Sequence, residues 1–225
     1  MPQSSKNEVF GYGTPQDWHS DSAAFNFIIK NSLAEIQTMT LVKVVSVSNQ
    51  GGVTPVGFVD VQPLVHMLTG DGKTVECGRV NRVPYFRLQG GANAIILDPQ
   101  VGDIGMCGFC SRDISSVKNN KKASAPQSLR RFDFADGLYF GGFLNGAPLQ
   151  YIQFSDGGIT VHSPTKIELS APEIKFSGNT ETTGTSSTAG NASFGASLEN
   201  KGVNVGSTHT HSGVESGSKS TGNPS

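Results

Sequence analysis

The chain has little that would anchor or cross-brace it. Charged residues make up only 16% of its 225 positions, and the formal net charge is -1. Such a balance creates no broad field to draw it onto nucleic acid or an anionic membrane. No apolar run approaches the roughly 20 residues needed to span a bilayer, and no signal-peptide pattern opens the chain. The expectation is a soluble protein made in the cytoplasm. Three cysteines, Cys77, Cys107 and Cys110, are too few and too odd in number for a disulfide scaffold. Cys107-Gly108-Phe109-Cys110 is formally a CxxC, but it lies in a stretch that reads as strand, not at the helix start that redox chemistry uses. A zinc knuckle would need a second such pair. No nucleophile elbow, HExxH or phosphate-cradling glycine loop is present, so no enzyme class is indicated. Tryptophan occurs once, at Trp18.

What the chain does have is a repeat in its last third. Tyr151-Ile152-Gln153-Phe154, Gly158-Ile159-Thr160-Val161, Lys166-Ile167-Glu168-Leu169 and Glu173-Ile174-Lys175-Phe176 each alternate apolar and polar, the mark of strands with one buried face. Turn-type segments separate them: Ser155-Asp156-Gly157-Gly158, Ser163-Pro164-Thr165 and Ala171-Pro172. After Phe176 the pattern thins into Ser, Thr, Gly, Ala and Asn, returning at Phe194, Leu198 and Val203-Asn204-Val205. The plain alternative for 177–225 is a solvated linker. One such unit buries about two apolar side chains, worth roughly 3–6 kcal/mol, against about 1–2 kcal/mol of entropy for each ordered residue. It cannot fold alone. Several identical chains wound about one axis solve the problem, and three is the natural number for a prism. The needle would then be on the order of 35–40 Å long.

Upstream, residues 1–20 read as an extended arm in which Phe10, Tyr12 and Trp18 are possible anchors. A helix is expected from Asp21 to about Thr38, capped by Ser20 or Asp21, with Phe25, Ile28, Ile29, Leu33 and Ile36 on one stripe. That stripe packs either on its own domain or on a neighbour. Residues 40–115 contain about five strands: Leu41 to Ser48, Val56 to Gln62, Val75 to Val83, Ala94 to Leu97 and Ile104 to Cys110. Turns are expected at 49–52 and 70–73. The set fits a small Greek-key barrel of the OB type. Such barrels can bind oligonucleotides, and Arg79, Arg82 and Arg87 lie near Tyr85 and Phe86; the near-neutral charge argues against it. Residues 117–127 read as a polar basic loop, and 130–143 as a return to strand.

Several of these pieces resemble the central spike, or membrane-piercing, proteins of contractile-tailed bacteriophages, allied to baseplate assembly protein V. They are Val59-Asp60-Val61-Gln62-Pro63-Leu64, Val101-Gly102-Asp103 with Ser111-Arg112-Asp113-Ile114, Arg130-Arg131 leading to Ala135-Asp136-Gly137, the β repeats, and His209-Thr210-His211 near a Ser/Gly-rich end. The resemblance covers nearly the whole chain. It implies a mainly β homotrimer: arm 1–20, helix plus OB-like barrel 21–145 attached to the baseplate hub, intertwined triple-stranded β-helix 146–206, and metal-bound apex 207–225. It implies a non-enzymatic spike at the tail tip that pierces the host outer membrane and binds no nucleic acid. It also implies iron on the three-fold axis, held by His209 and His211. The chemistry is consistent. In an extended segment residues i and i+2 share a side, so three chains would present six imidazole nitrogens. An octahedral set disfavours structural zinc and fits Fe(II), Ni(II) or a similar ion. The plain alternative is two exposed histidines that bind nothing. A trimeric tail fibre or adhesin that binds a host surface receptor shares the architecture; such a protein would be expected to end in a broad aromatic or charged head.

Overall fold

The computed structural model describes residues 15–49, 52–69, 72–210, 213 and 217. Phe10, Tyr12 and His211, with Gln50, Gly51, Gly70 and Asp71 of the two expected turns and most of the expected apex, lie outside the described residues. The chain divides into two compact units, 1–164 and 165–225, and each is described by itself.

The first unit opens with a 3-10 turn, Pro15–Trp18, and helix α1, Asp21–Ala34. Ser20 caps the helix: its hydroxyl accepts from the Ala23 amide at 3.2 Å. The helix stops at Ala34, short of the expected Thr38. The next strand begins at Met39, and the Thr38 carbonyl already accepts from Phe109. Strand geometry therefore claims the segment that periodicity alone assigns to helix.

Then follow β1 (Met39–Val47), β2 (Phe58–Pro63), β3 (Met67–Leu68), β4 (Thr74–Val75), β5 (Val80–Pro84), β6 (Leu88–Gly90), β7 (Asn93–Ile95) and β8 (Ile104–Phe109). Helix α2 (Ser115–Asn120) and a 3-10 turn, Phe134–Asp136, lead to β9 (Gly137–Gly142). Five strands form one antiparallel sheet in the order β5-β2-β1-β8-β9. It curls into a half-barrel, and a parallel bridge from Tyr85 to Tyr139 brings its two outer strands together. The Phe86 amide donates to the Tyr139 carbonyl there at 2.7 Å.

The core is one side of this curl. Val42 and Val44 of β1 face Val59 and Val61 of β2, with Val80, Val83, Tyr85, Cys107, Phe109 and Tyr139 completing it. Alternation places them there: Lys43 between the two valines of β1 is exposed. Gly105 is required by a close approach. A Cβ at that position would run into the Gly141 carbonyl and the Tyr139 ring.

Two expectations differ in detail. The single strand expected from Val75 to Val83 is split into β4 and β5 around Cys77, whose carbonyl is held by the Gln62 side chain at 2.6 Å. Within the expected loop 117–127, the first residues belong to α2. Asp113 accepts from the Ser115 amide at 2.8 Å and starts that turn, and Lys121 ends it in the left-handed conformation (φ 54).

The first unit ends in a hairpin of β10 (Tyr151–Ser155) and β11 (Gly158–His162). In the second unit β12 (Glu199–Asn200) and β13 (Val203–Asn204) form a small hairpin. Lys201 (φ 51) and Gly202 (φ 79) supply the two positive φ values that a tight two-residue turn demands. The segments 166–169 and 173–176, expected as strands, join no ladder among the described residues. A strand is completed only by a neighbour, and the described residues offer them none.

Candidate functional site

The alternation in the last third survives as strand geometry in the β10–β11 hairpin alone. In the β10–β11 hairpin Ile152 pairs with Val161 and Phe154 with Ile159. Directly opposed residues share a face, so these four form one apolar face. Tyr151, Gln153, Thr160 and His162 form the other, where Tyr151 stacks on His162 with ring centroids 5.1 Å apart. The apolar face is bare: Ile152, Phe154, Ile159 and Val161 are 64, 75, 66 and 52% exposed. In the second unit, Lys166 and Glu168 pair at 2.6 Å on one side of their segment. Ile167, Leu169, Ile174 and Phe176, which alternate with polar residues in the sequence, are all exposed. Not one apolar residue of 151–176 contributes to the buried core.

At the far end of the second unit a chain of hydrogen bonds positions His209. The Val205 amide donates to Leu198, which prolongs the β12–β13 ladder. The Asn204 side chain then accepts from the Gly206 amide at 2.8 Å and donates to the Thr208 hydroxyl at 3.0 Å. His209 turns back on Gly206: its amide donates to the Gly206 carbonyl at 3.2 Å, and ring Nδ1 lies 2.6 Å from the same oxygen. A carbonyl can only accept, so this contact calls for the proton on Nδ1. A backbone carbonyl that fixes the tautomer in this way is the usual outer partner of a metal-binding imidazole. The described residues of one chain hold no group of three His, Cys, Asp or Glu that could take a metal ion.

Of the other histidines, His19 Nδ1 bonds to the Gln16 carbonyl at 2.8 Å, and His66 is exposed. The arginines near Tyr85 and Phe86 have carboxylate or ring partners within the chain. Arg79 pairs with Asp60 at 2.8 Å. Arg82 lies over the Phe58 ring, 5.0 Å from its centroid, and its amide donates to Asp60. Arg87, 4% exposed, pairs with Asp98 at 2.6 Å, and Tyr85 donates to the same carboxylate.

One cluster is not evident from sequence spacing. Arg130 bridges two buried carboxylates, Asp136 at 2.8 Å and Asp113 at 2.7 Å. Asp136 also accepts from the Ile114 amide, and Asp113 from the Ser115 amide and Ser128 hydroxyl. Hydrogen bonds from Ser115, then Ser128 and the Arg130 charge, hold the Asp113 carboxyl well below the usual carboxylate range, against the opposing effect of burial. Two stretches far apart in sequence, 111–114 and 130–137, thus meet as one ion-pair network that ties α2 to β9. In the sequence both stretches stand out only as pieces that resemble spike proteins, which does not say that they touch. Cys107 and Cys110 are free thiols. Burial pushes Cys107 up to about 12, and burial and Asp136 raise Cys110. Neither is an activated nucleophile.

Set against known proteins, the chain matches no protein-family model and no curated protein sequence.

Proposed function

We propose that the chain is one subunit of a homotrimeric, non-enzymatic cell-puncturing spike at the tip of a contractile phage tail. In this reading the curled sheet is an OB-type barrel that attaches to the baseplate hub. Residues 146–206 wind with two other copies into a triple-stranded β-helix, and 207–225 close the point. The observation that carries the proposal is the bare apolar row of the β10–β11 hairpin, Ile152, Phe154, Ile159 and Val161, together with the exposed Ile167, Leu169, Ile174 and Phe176 of the second unit. A row of this kind is stable in water only when something dry covers it. Two further copies supply matching rows without any new sequence, and their strand edges hydrogen-bond to one another so that none is left free.

His209 and His211 would hold a metal ion, iron in the first instance, at the apex. The ion would supply a structural cross-link between three chains, with no open position for chemistry. The protein's own part would be to orient the His209 ring by anchoring Nδ1 on Gly206. Sheath contraction would push the needle point-first through the host outer membrane. The stretch from 177 to 225, rich in Ser, Thr, Gly and Asn, offers little apolar surface to be trapped by lipid. The neutralised arginines around Tyr85 support a barrel that works by protein contacts, not by nucleic-acid binding.

The test is the mass and metal content of the full chain. The expected particle is three times 23.7 kDa and carries one iron per three chains. Changing His209→Ala together with His211→Ala should remove the metal and keep the trimer. A monomer at micromolar concentration refutes the needle. A metal-free trimer that binds defined glycans on an array points to the fibre or adhesin instead.

A further inference from the structure

Helix α1 is a second place where an apolar row is exposed among the described residues. Phe25, Ile28, Ile29 and Leu33 recur at three- and four-residue spacing, and Ile36 extends the row past the cap. They are 65, 53, 53, 60 and 38% exposed, and no residue of the helix is buried. What packing the helix has lies on its back. Phe27, about 200° round the helix from Phe25, meets Trp18 with ring centroids 5.5 Å apart. Between Phe25 and Ile36 the charged residues are Lys30 and Glu35, both about 100° or more from the centre of the row. A lone helix of 14 residues is marginal in water, because most helical stability comes from packing an apolar face.

The size and place of the row select its occupant. Five side chains at those exposures leave about 500 Å² of apolar surface on each copy. Three such rows meeting around an axis would cover about 1,500 Å² in all, about 500 Å² for each pair of chains, which is below the 1,200–2,000 Å² of an interface that holds by itself and is enough only for copies already joined elsewhere. The row is apolar without a charge, and the small Ser32 sits in its middle, so it can pack on copies of itself. The sheet also places it well. β1 begins where Met39 pairs with Gly108, at the Phe109 end of β8. β9 starts at that same end, with Gly137 against Phe109, and leaves at the other, with Gly142 against Gly105. The chain thus enters the barrel from α1 at one end and departs towards β10 from the opposite end. Copies joined through the needle would hold their α1 helices at an effective concentration on the order of millimolar, where a short seam suffices.

We infer that the α1 helices of three copies form a parallel three-helix seam through Phe25, Ile29, Leu33 and Ile36, at the barrel end opposite the needle. This rests on the trimer proposed above. The test uses the full chain carrying Ser32→Cys, which lies in the row, or Asn31→Cys, about 100° away on the helix. Each is oxidised mildly beside the parent chain, which reports any background from Cys77, Cys107 and Cys110, and particle mass is measured on the same samples. The expected result is a trimer for both, with disulfide-linked dimers at least ten-fold more abundant for Ser32→Cys. Adding Ile29→Asp should abolish that cross-link and leave the trimer mass unchanged. A trimer in which both cysteines cross-link equally or not at all, or in which Ile29→Asp changes nothing, overturns the seam and leaves the needle standing. A monomeric parent chain overturns the trimer, and the seam with it.

Discussion

Replacing Phe154 by serine strips the largest side chain from the bare face of the β10–β11 hairpin. In the single chain Phe154 is 75% exposed, so the loss costs the isolated subunit almost nothing. In a trimer that buries this face the same change matters. Three-quarters of about 200 Å² of phenylalanine surface is about 150 Å², which at about 25 cal/mol per Å² is about 4 kcal/mol per copy. Symmetry triples it to about 11 kcal/mol, or roughly 10⁸ in the association constant at 1.4 kcal/mol per factor of ten. Three chains assemble with the square of concentration, so the midpoint for dissociation should rise about 10⁴-fold. Sedimentation across a dilution series reads this directly. The control is Gln153→Ser, one residue away on the polar face, which should leave the midpoint where it was. If Phe154→Ser assembles as well as the parent chain, or if Gln153→Ser weakens assembly equally, the apolar face is not the interface.

Further consequences concern the curled five-stranded sheet. Gly105→Ala would drive a methyl group into the Gly141 carbonyl and the Tyr139 ring, and should lower barrel stability by about 1–3 kcal/mol in urea unfolding; an unchanged midpoint would mean the β8–β9 approach is looser than described. Because the folded carboxyl of Asp113 is depressed, its contribution to stability is complete above the ordinary carboxylate range, about pH 4, and is lost as pH falls below it towards the folded value. The urea midpoint of the parent chain should therefore drop in that acid window, and Asp113→Asn should be less stable at pH 7 with a flatter acid limb. Cys107, pushed up to about 12 by burial, should resist iodoacetamide at pH 8 in the folded chain and react once urea exposes it; rapid labelling without denaturant would contradict its place in the core.

Much of the local structure was legible in the residues. Ser20 marks the start of α1 because a hydroxyl there satisfies an amide that the helix cannot. The alternation of Tyr151 to Phe154 and of Gly158 to Val161 is strand pairing written out, and Ser155-Asp156-Gly157-Gly158 is its turn. The mainly β character of the chain follows from the same signs. The Arg130 network was not legible in this way. Charge type says that an arginine wants a carboxylate, but not that Asp113, 17 residues away, and Asp136 converge on the same guanidinium. The extent of α1 was overread for a related reason: a helical period through Ile36 cannot register that Thr38 is needed by Phe109.

Sequence alone decided which side of each segment is apolar, where turns fall and where a helix begins, because these depend on neighbours within a few residues. Tertiary structure decided which strands meet, which acids surround Arg130, and that the apolar sides of α1 and of the β10–β11 hairpin stay exposed among the described residues. Those outcomes depend on contacts between residues distant in sequence, whose gain must exceed the entropy of bringing them together, and no local pattern contains that sum.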